Sequence, residues 1–200
     1  MRYGRCGSST RLTGWGGYIP PPETLSPMPL HITYYVAQSL DGFIARPNGA
    51  VDWLPAFEEG GPDYGFNDFL ESIDVLIMGR GTYEHVLGYG AWPYQHPTIV
   101  CAHGPLDAKH GVLQWQHDLP QLMSWLDGQG YQRAWLVGGG TLASAFAVKG
   151  ALDQVITTIV PVCLGNGIQL LETLESDFPL KLSEHHVFPN GLVQIHYRRG

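Results

Sequence analysis

Charged residues are scarce in this chain, and positive charge is scarcer than negative charge. Of its 200 residues only 14% are charged, and 11 Lys and Arg against 18 Asp and Glu give a net charge of −7 at pH 7. Because phosphate backbones attract basic proteins, this balance argues against a nucleic-acid partner. The chain has only three cysteines, and an odd, scattered set of this kind is not a disulfide framework. We therefore expect a reducing, cytoplasmic location.

Long apolar runs are also missing. No stretch of about 18 apolar residues occurs, so no membrane partner is expected. The sequence as a whole is 44% hydrophobic, which is enough for the core of one domain. Residues 1–29 have no apolar periodicity and are rich in Gly, Pro, Ser and Thr. We interpret them as a poorly ordered N-terminal extension that precedes a folded domain at residues 30–200.

Short apolar segments follow one another along the domain. β-branched and aromatic residues indicate strands at 31–37, 74–78, 98–101, 112–115, 134–137 and 153–161. Apolar residues at helical spacing indicate helices at 63–72, 83–87, from 118 onward, and at 142–149. Segment 39–49 carries turn signals and is predicted to be a loop, and residues 180–197 are predicted to form a hairpin turned at 189–191. This alternation indicates an α/β sheet with an antiparallel end.

Three consecutive glycines, Gly138 to Gly140, stand between a predicted strand and a predicted helix. Two explanations of these glycines are open. Bare backbone N–H groups at the start of a helix suit an anion such as phosphate, and a tight turn allows close packing of strand and helix. A Rossmann fingerprint normally lies in the first βα unit, and here the glycines come late in the domain. No Walker A loop is present, because no Gly-Lys-Ser/Thr occurs.

A second strand ends in glycine at Gly79-Arg80-Gly81-Thr82. Gly79 lets the backbone approach a ligand, Thr82 adds a hydroxyl near a helix start, and Arg80 adds a permanent positive charge. Two such strand ends can hold two parts of one dinucleotide. An arginine at one of them suits a 2′-phosphate and favours NADPH over NADH.

Four motifs together resemble a known family. They are, in chain order, Ala37-Gln38-Ser39-Leu40-Asp41-Gly42-Phe43-Ile44-Ala45, Met78-Gly79-Arg80-Gly81-Thr82-Tyr83-Glu84, Val137-Gly138-Gly139-Gly140-Thr141-Leu142 and Phe188-Pro189-Asn190-Gly191. In order and spacing they resemble the dihydrofolate-reductase-like superfamily, in the branch of the riboflavin-biosynthesis reductase domain and its small stand-alone relatives. The resemblance implies a mostly parallel eight-stranded α/β sheet with an antiparallel C-terminal hairpin and flanking helices. It also implies NADPH as cofactor and makes a homodimer plausible.

The resemblance also implies cofactor contacts, residue by residue. Positions that match the nicotinamide wall are Ala37, Ile44 and Ala45. Positions that match the pyrophosphate and adenosine turn are Gly79, Arg80 and Thr82, and the adenosine side is matched by Cys101, Ala102 and His103. The second phosphate turn is matched by Gly138, Gly139, Gly140, Thr141 and Leu142.

Two aspartates are candidates for a catalytic role. Asp63 matches the position of a substrate-binding carboxylate, and Asp41 matches an element that lies beside the substrate in the riboflavin branch. A carboxylate in an apolar cleft would assist proton delivery to a substrate nitrogen. The alternatives are structural: Asp63 as a helix cap and Asp41 as a turn residue.

No metal site is expected from the nine histidines. Cys101, His103, His110 and His117 lack the ligand spacing of structural zinc sites, and the adjacent His185 and His186 point to opposite faces of a predicted strand. The sequence therefore predicts an NADPH-dependent reductase of a small planar heterocyclic or carbonyl substrate. The alternative is a non-catalytic nucleotide-binding or regulatory protein with the same fold.

Overall fold

The computed structural model describes residues 29–55, 63–172 and 174–200. The expected extension, residues 1–29, lies outside these ranges except for Pro29. Along the described chain the elements are β1 (His31–Ser39), β2 (Phe43–Ala45), α1 (Phe66–Ser72), β3 (Val75–Gly79), α2 (Arg80–Leu87), β4 (Thr98–Cys101), β5 (Leu113–Trp115), α3 (Leu119–Gly128), β6 (Arg133–Gly138), α4 (Gly140–Val148), β7 (Gln154–Val160), β8 (Ile168–Gln169), β9 (Leu180–Val187) and β10 (Val193–Arg199).

Eight strands form one sheet in the order β5-β4-β3-β6-β1-β7-β10-β9. The pairs from β5 to β7 are parallel, and β10 pairs antiparallel with β7 and β9. This confirms the predicted fold class. A separate antiparallel pair joins β2 to β8. The loop predicted at 39–49 was thus wrong at Phe43–Ala45, because three residues are too few to show an alternating pattern.

Helices cover both faces of the sheet. Along β3, Val75 and Ile77 face a core cluster that α3 and α4 complete, while Leu76 and Met78 face a second cluster against α1 and α2. Strands buried on both faces explain why their sequences read as continuous apolar runs. Within the described residues, no helix is both long and apolar enough to cross a membrane.

The helix starts differ from the predicted ones at functionally relevant places. Helix α4 begins at Gly140 and not at residue 142, and α2 begins at Arg80 directly after Gly79. Glycine has a low helix propensity, so a sequence-based prediction starts the helix too late. Because both helices begin at these glycine turns, their first turns carry backbone N–H groups without a side-chain cap. Helix α1 begins at Phe66, three residues after Asp63.

Candidate active site

Three parallel strands end side by side at the carboxyl edge of the sheet. Gly79 at the end of β3 pairs with Cys101 of β4, and Met78 pairs with Gly138 of β6. Their exits surround a cavity of about 530 Å³, here called the glycine cavity. Ten of the predicted cofactor residues line it: Gly79, Arg80, Thr82, Cys101, Ala102, His103, Gly139, Gly140, Thr141 and Leu142.

Two of the three helices that start at this cavity have no side-chain cap. Helix α3 is capped by Asp118, whose carboxylate accepts a hydrogen bond from the N–H of Gln121 at 2.9 Å. By contrast, Gly79 precedes α2 and Gly139 precedes α4, and neither helix has a side-chain cap. First-turn N–H groups that no side chain satisfies need another acceptor. Together with the positive ends of the two helix dipoles, they form an environment suited to phosphate oxygens.

The glycines also permit a close approach of backbone segments. A Cβ atom on Gly140 would collide with the carbonyl oxygen of Gln169 in β8, so no side chain fits there. Gly138 has φ of 149°, outside the range that L side chains favour, and a Cβ there would stand 3.3 Å from the hydroxyl of Thr82. The turn at Gly138 to Gly140 therefore combines close packing with a helix start that has no side-chain cap.

Arg80 organises the loop that follows β4. Its Nη2 donates to the carbonyl oxygens of His103, Gly104 and Pro105 at 2.8 to 3.1 Å, and its Nη1 lies 3.6 Å from Glu84. Its side chain is still 35% exposed and lines the glycine cavity. The guanidinium thus shapes the part of the cavity beside His103, and its charge is accessible there.

Glu172 is a cavity residue that the sequence motifs missed. Its Oε1 accepts a hydrogen bond from the hydroxyl of Thr141 at 2.6 Å, and its backbone N–H donates to Ser144 at 2.7 Å. Glu172 follows β8, the short strand that the periodicity did not reveal. Its carboxylate beside the first turn of α4 means that a phosphate bound there would compete with it for Thr141.

A second cavity, of about 540 Å³, opens on the α1 side of the sheet. We call it the aromatic cavity because Tyr35, Tyr64, Phe66 and Trp135 line it, with Val36, Ala37, Leu54, Asp63, Thr158 and Leu192. Tyr35 donates a hydrogen bond to the carbonyl oxygen of Tyr64 at 3.0 Å and accepts one from Gln194 at 2.8 Å. Burial raises the pKa of Tyr35 to about 12, so it stays protonated at neutral pH and keeps this contact.

Asp63 lies exposed at the edge of the aromatic cavity. Its Oδ1 accepts from the N–H of Gly65 at 3.1 Å and its Oδ2 accepts from the N–H of Asn67 at 3.3 Å. The carboxylate therefore satisfies one first-turn N–H of α1, although the N-cap residue of this helix is Gly65 and not Asp63. Its position beside the cavity is also the one that a catalytic role requires, so that role stays a prediction.

Asp41 is engaged in the turn that closes β1. It accepts hydrogen bonds from the hydroxyl of Ser39 at 2.6 Å and from the N–H groups of Leu164 and Gly165 at 3.0 and 2.7 Å. These bonds, the one from Ser39 first, lower its pKa to about 2. A carboxylate that is ionised throughout the neutral range cannot donate a proton there, and Asp41 lines neither cavity. Its contacts favour the structural alternative.

The remaining predicted cofactor residues are divided between two places. Ala37 lines the aromatic cavity, whereas Ile44 and Ala45 lie in β2 and line neither cavity. Ala45 is buried where Gly167 approaches its carbonyl group. The nicotinamide contacts of Ile44 and Ala45 stay predictions.

Cys101 lines the glycine cavity with a neutral thiol. Burial raises its pKa to about 12, so the thiol contributes cavity surface and is not a nucleophile.

The sheet order and the two cavities define a dihydrofolate-reductase-like fold, and comparison with solved structures agrees. A dihydrofolate reductase from Enterococcus faecalis, complexed with NADP(H), superposes with a TM-score of 0.63 at 19% identity, over 86% of this chain and 98% of that one. A protein from Shewanella sp. PV-4, named for riboflavin biosynthesis, superposes with a TM-score of 0.78 at 29% identity, over 86% and 99% of the two chains.

Sequence comparison identifies the family within this fold. The model of the RibD C-terminal domain matches residues 93–194. The uncharacterized protein YwjB of Bacillus subtilis (strain 168) is 36% identical over 168 residues, which cover 82% of this chain and 95% of YwjB. The chain belongs to the RibD C-terminal domain family, as its four motifs predicted.

Proposed function

We propose that this protein is an NADPH-dependent reductase that transfers a hydride to a small planar heterocyclic or carbonyl substrate. The observation that carries the proposal is the pair of glycine-capped helix starts on one cavity, at α2 and α4. Both lack a side-chain cap, and residues of both first turns line the glycine cavity. A dinucleotide has the two linked phosphates that such a pair accommodates.

The residues around the glycine cavity fit the parts of the nucleotide. The first turns of α2 and α4, with the hydroxyls of Thr82 and Thr141, would hold the diphosphate. Arg80 lies beside the Cys101 to His103 exit, where a charge selects for the 2′-phosphate of NADPH. The E. faecalis neighbour bound to NADP(H) supports the same cofactor. When bound, NADPH supplies the hydride, and no protein nucleophile is needed.

The aromatic cavity is the proposed substrate site. Tyr35 and Trp135 contribute apolar ring surface, and Trp135 makes edge-to-face contacts with Phe66 and Phe69 at centroid distances of 5.3 and 5.8 Å. These contacts fix the rings, so a flat substrate would meet a rigid apolar wall. Asp63 at the rim would hydrogen-bond a ring nitrogen or carbonyl group. One polar group at the rim of an otherwise apolar cavity suits the recognition of a small heterocycle.

A second candidate function is nucleotide binding without turnover. It is favoured by the hydrogen bonds of Asp63, because both of its oxygens already accept from backbone N–H groups at the start of α1. In that case the glycine cavity would bind NADPH, and the aromatic cavity would serve as a regulatory site or a partner site.

Titration with NADPH and NADH tests the proposal. Trp135 in the aromatic cavity and Trp115 in the glycine cavity are donors for energy transfer to the reduced nicotinamide. We expect saturable binding, with NADPH tighter than NADH, and oxidation of NADPH with a member of a panel of pterins, flavin precursors and quinones. Absence of binding to either nucleotide contradicts both functions. Binding without oxidation across the panel favours the second.

We also propose that two copies associate through β9. Among the described residues, this strand is an edge of the eight-stranded sheet. Leu182 and Val187 on it are 59% and 72% exposed, and an exposed apolar edge strand invites pairing with another. Light scattering of the protein and of a Val187→Lys variant tests this: a dimer is expected for the former and a larger monomer fraction for the latter.

A further inference from the structure

One face of the C-terminal hairpin brings together two imidazoles and a carboxylate. In the register of β9 and β10, Glu184 is directly opposite His196, and His186 is directly opposite Gln194. Side chains two apart on a strand share a face, and directly opposite Cβ atoms are about 5 Å apart. The four side chains therefore form a square. Ligand atoms of Glu184, His186 and His196 all lie within 4.8 Å of one another.

We propose that Glu184, His186 and His196 bind a divalent transition-metal ion, with zinc as the best match. Two imidazole nitrogens and one carboxylate oxygen are a common zinc ligand set in which a fourth position stays open. The inference is independent of the reductase proposal, because it uses neither the glycine cavity nor hydride transfer. It also revises the expectation of no metal site, which considered His186 only with its neighbour along the chain.

The hydrogen bonds of Gln194 determine which nitrogen of His196 is free. The Nε2 of Gln194 donates toward the Tyr35 hydroxyl, the Thr158 hydroxyl and the Tyr64 carbonyl oxygen, at 2.8 to 3.2 Å. The amide is thereby oriented, and its Oε1 faces Nε2 of His196 at 3.0 Å. Because that oxygen only accepts, His196 carries its proton on Nε2.

The other ring nitrogen of His196 then points at the carboxylate. Nδ1 lies 3.8 Å from Oε2 of Glu184. Two lone pairs that face each other at this distance need a cation or a hydrogen-bond donor between them, and a metal ion meets that need. A protein partner on the far nitrogen is also the usual arrangement around metal-bound histidine, since it fixes the tautomer and the ring orientation.

The distances suit a zinc-sized ion after small side-chain movements. Around a tetrahedral zinc ion with ligands at about 2.0–2.1 Å, neighbouring ligand atoms are about 3.3 Å apart. In the hairpin, His186 Nε2 is 2.8 Å from Oε1 of Glu184, and His196 Nδ1 is 3.8 Å from Oε2. These distances end on the two different oxygens of one carboxylate, and the three ligand atoms lie within 4.8 Å of one another, so they must approach by up to about 1.5 Å. Both Glu184 and His186 are about half exposed, so they can move and an ion can enter.

The open position would face a third cavity. This cavity, of about 300 Å³, has His186, His196 and Gln194 on one wall and Asp63 and Tyr64 on another. Asp63 and Tyr64 also line the aromatic cavity. An ion on the hairpin would therefore sit where a second ligand, water or an anionic group, has access to it from the same side of the sheet.

Calorimetric titration of the chelator-treated protein with Zn²⁺ tests the proposal. We expect one ion per chain, and about 10-fold or greater weakening in each of His186→Ala and His196→Ala. His185→Ala is the matched control, because His185 is adjacent and exposed but points to the opposite face of β9. It should bind zinc as the unaltered protein does. Glu184→Gln provides a further variant that keeps the side-chain volume, and far-UV circular dichroism checks the fold of each.

Substitution with Co²⁺ distinguishes this site from the thiols. Nitrogen and oxygen ligands give visible d–d bands without sulfur-to-cobalt charge transfer, and Cys163 is an exposed thiol that could bind the ion instead. No zinc binding, equal binding by all the variants, an equal loss in His185→Ala, or a thiolate charge-transfer band would each overturn the proposal. Loss confined to the His186, His196 and Glu184 variants, with a visible cobalt spectrum free of that band, would support it.

Discussion

Gly140 at the start of α4 lies directly against the carbonyl oxygen of Gln169 in β8. The contact joins the large sheet to the small one, because β8 pairs with β2. It also fixes the position of the first-turn N–H groups of α4 at the glycine cavity. One glycine therefore serves both packing and the proposed phosphate site.

Gly140→Ala should reduce stability and nucleotide affinity together. The added methyl group must displace the backbone at Gln169, and overpacking of this kind costs about 1–3 kcal/mol. Gly81→Ala is the control for stability alone, because a Cβ there meets nothing within 4 Å and alanine improves helix propensity in α2. Thermal unfolding and NADPH titration measure both effects. Equal stability of the two variants would contradict the close packing.

Arg80→Ala should weaken NADPH binding more than NADH binding. Loss of a charge-assisted contact with a phosphate corresponds to about 10- to 100-fold in affinity. NADH should lose less, through loosening of the loop at residues 103–105 that Arg80 holds. Glu84→Gln is the control, because it removes the neighbouring negative charge and leaves the guanidinium in place. Equal losses for the two nucleotides would remove the argument for the 2′-phosphate.

Asp63→Asn and Asp63→Ala should separate capping from catalysis. Asparagine caps helices about as well as aspartate, whereas alanine costs about 1 kcal/mol. If Asp63 assists proton delivery, both variants lose about 100-fold in kcat while only the alanine variant loses stability. A kcat that follows stability, with the asparagine variant fully active, would leave Asp63 with a capping role alone. Steady-state kinetics and thermal unfolding of the two variants decide between these results.

Asp41 should make stability fall at strongly acidic pH. Its pKa in the folded protein is about 2, below the unfolded value of about 3.9, so its contribution is complete above the unfolded pKa. That contribution disappears as pH falls from about 4 through about 2. Melting temperatures of the protein and of Asp41→Asn, measured from pH 5 to pH 2, should converge as pH falls. A constant difference over this range would show that the charge of Asp41 does not contribute.

Sequence patterns predicted the fold where strands were long, and the glycines marked the strand ends that line the glycine cavity. The exits at Gly79 and Gly138 were interpreted as able to hold two parts of one dinucleotide, and the structure places their strands next to each other. Two features were missed: Glu172, and the cluster of Glu184, His186 and His196 on the hairpin. The first follows a two-residue strand, and the second depends on which residue of β10 lies opposite Glu184. Neither a short strand nor cross-strand register leaves a periodic signal in one sequence.

The central position of β1 has a consequence for the synthesis of this protein. β1 is flanked by β6 and β7, and Thr33 meets its partner Gln154 only 121 residues later. β1, the first of the described strands in chain order, is therefore without both neighbours until residues 133–160 have been made. Its apolar residues, among them Ile32 and Tyr34, stay uncovered during that interval. Long-range pairing of this kind slows folding and exposes nascent chains to aggregation, so the order of the strands leaves β1 open to wrong pairing until β6 and β7 follow.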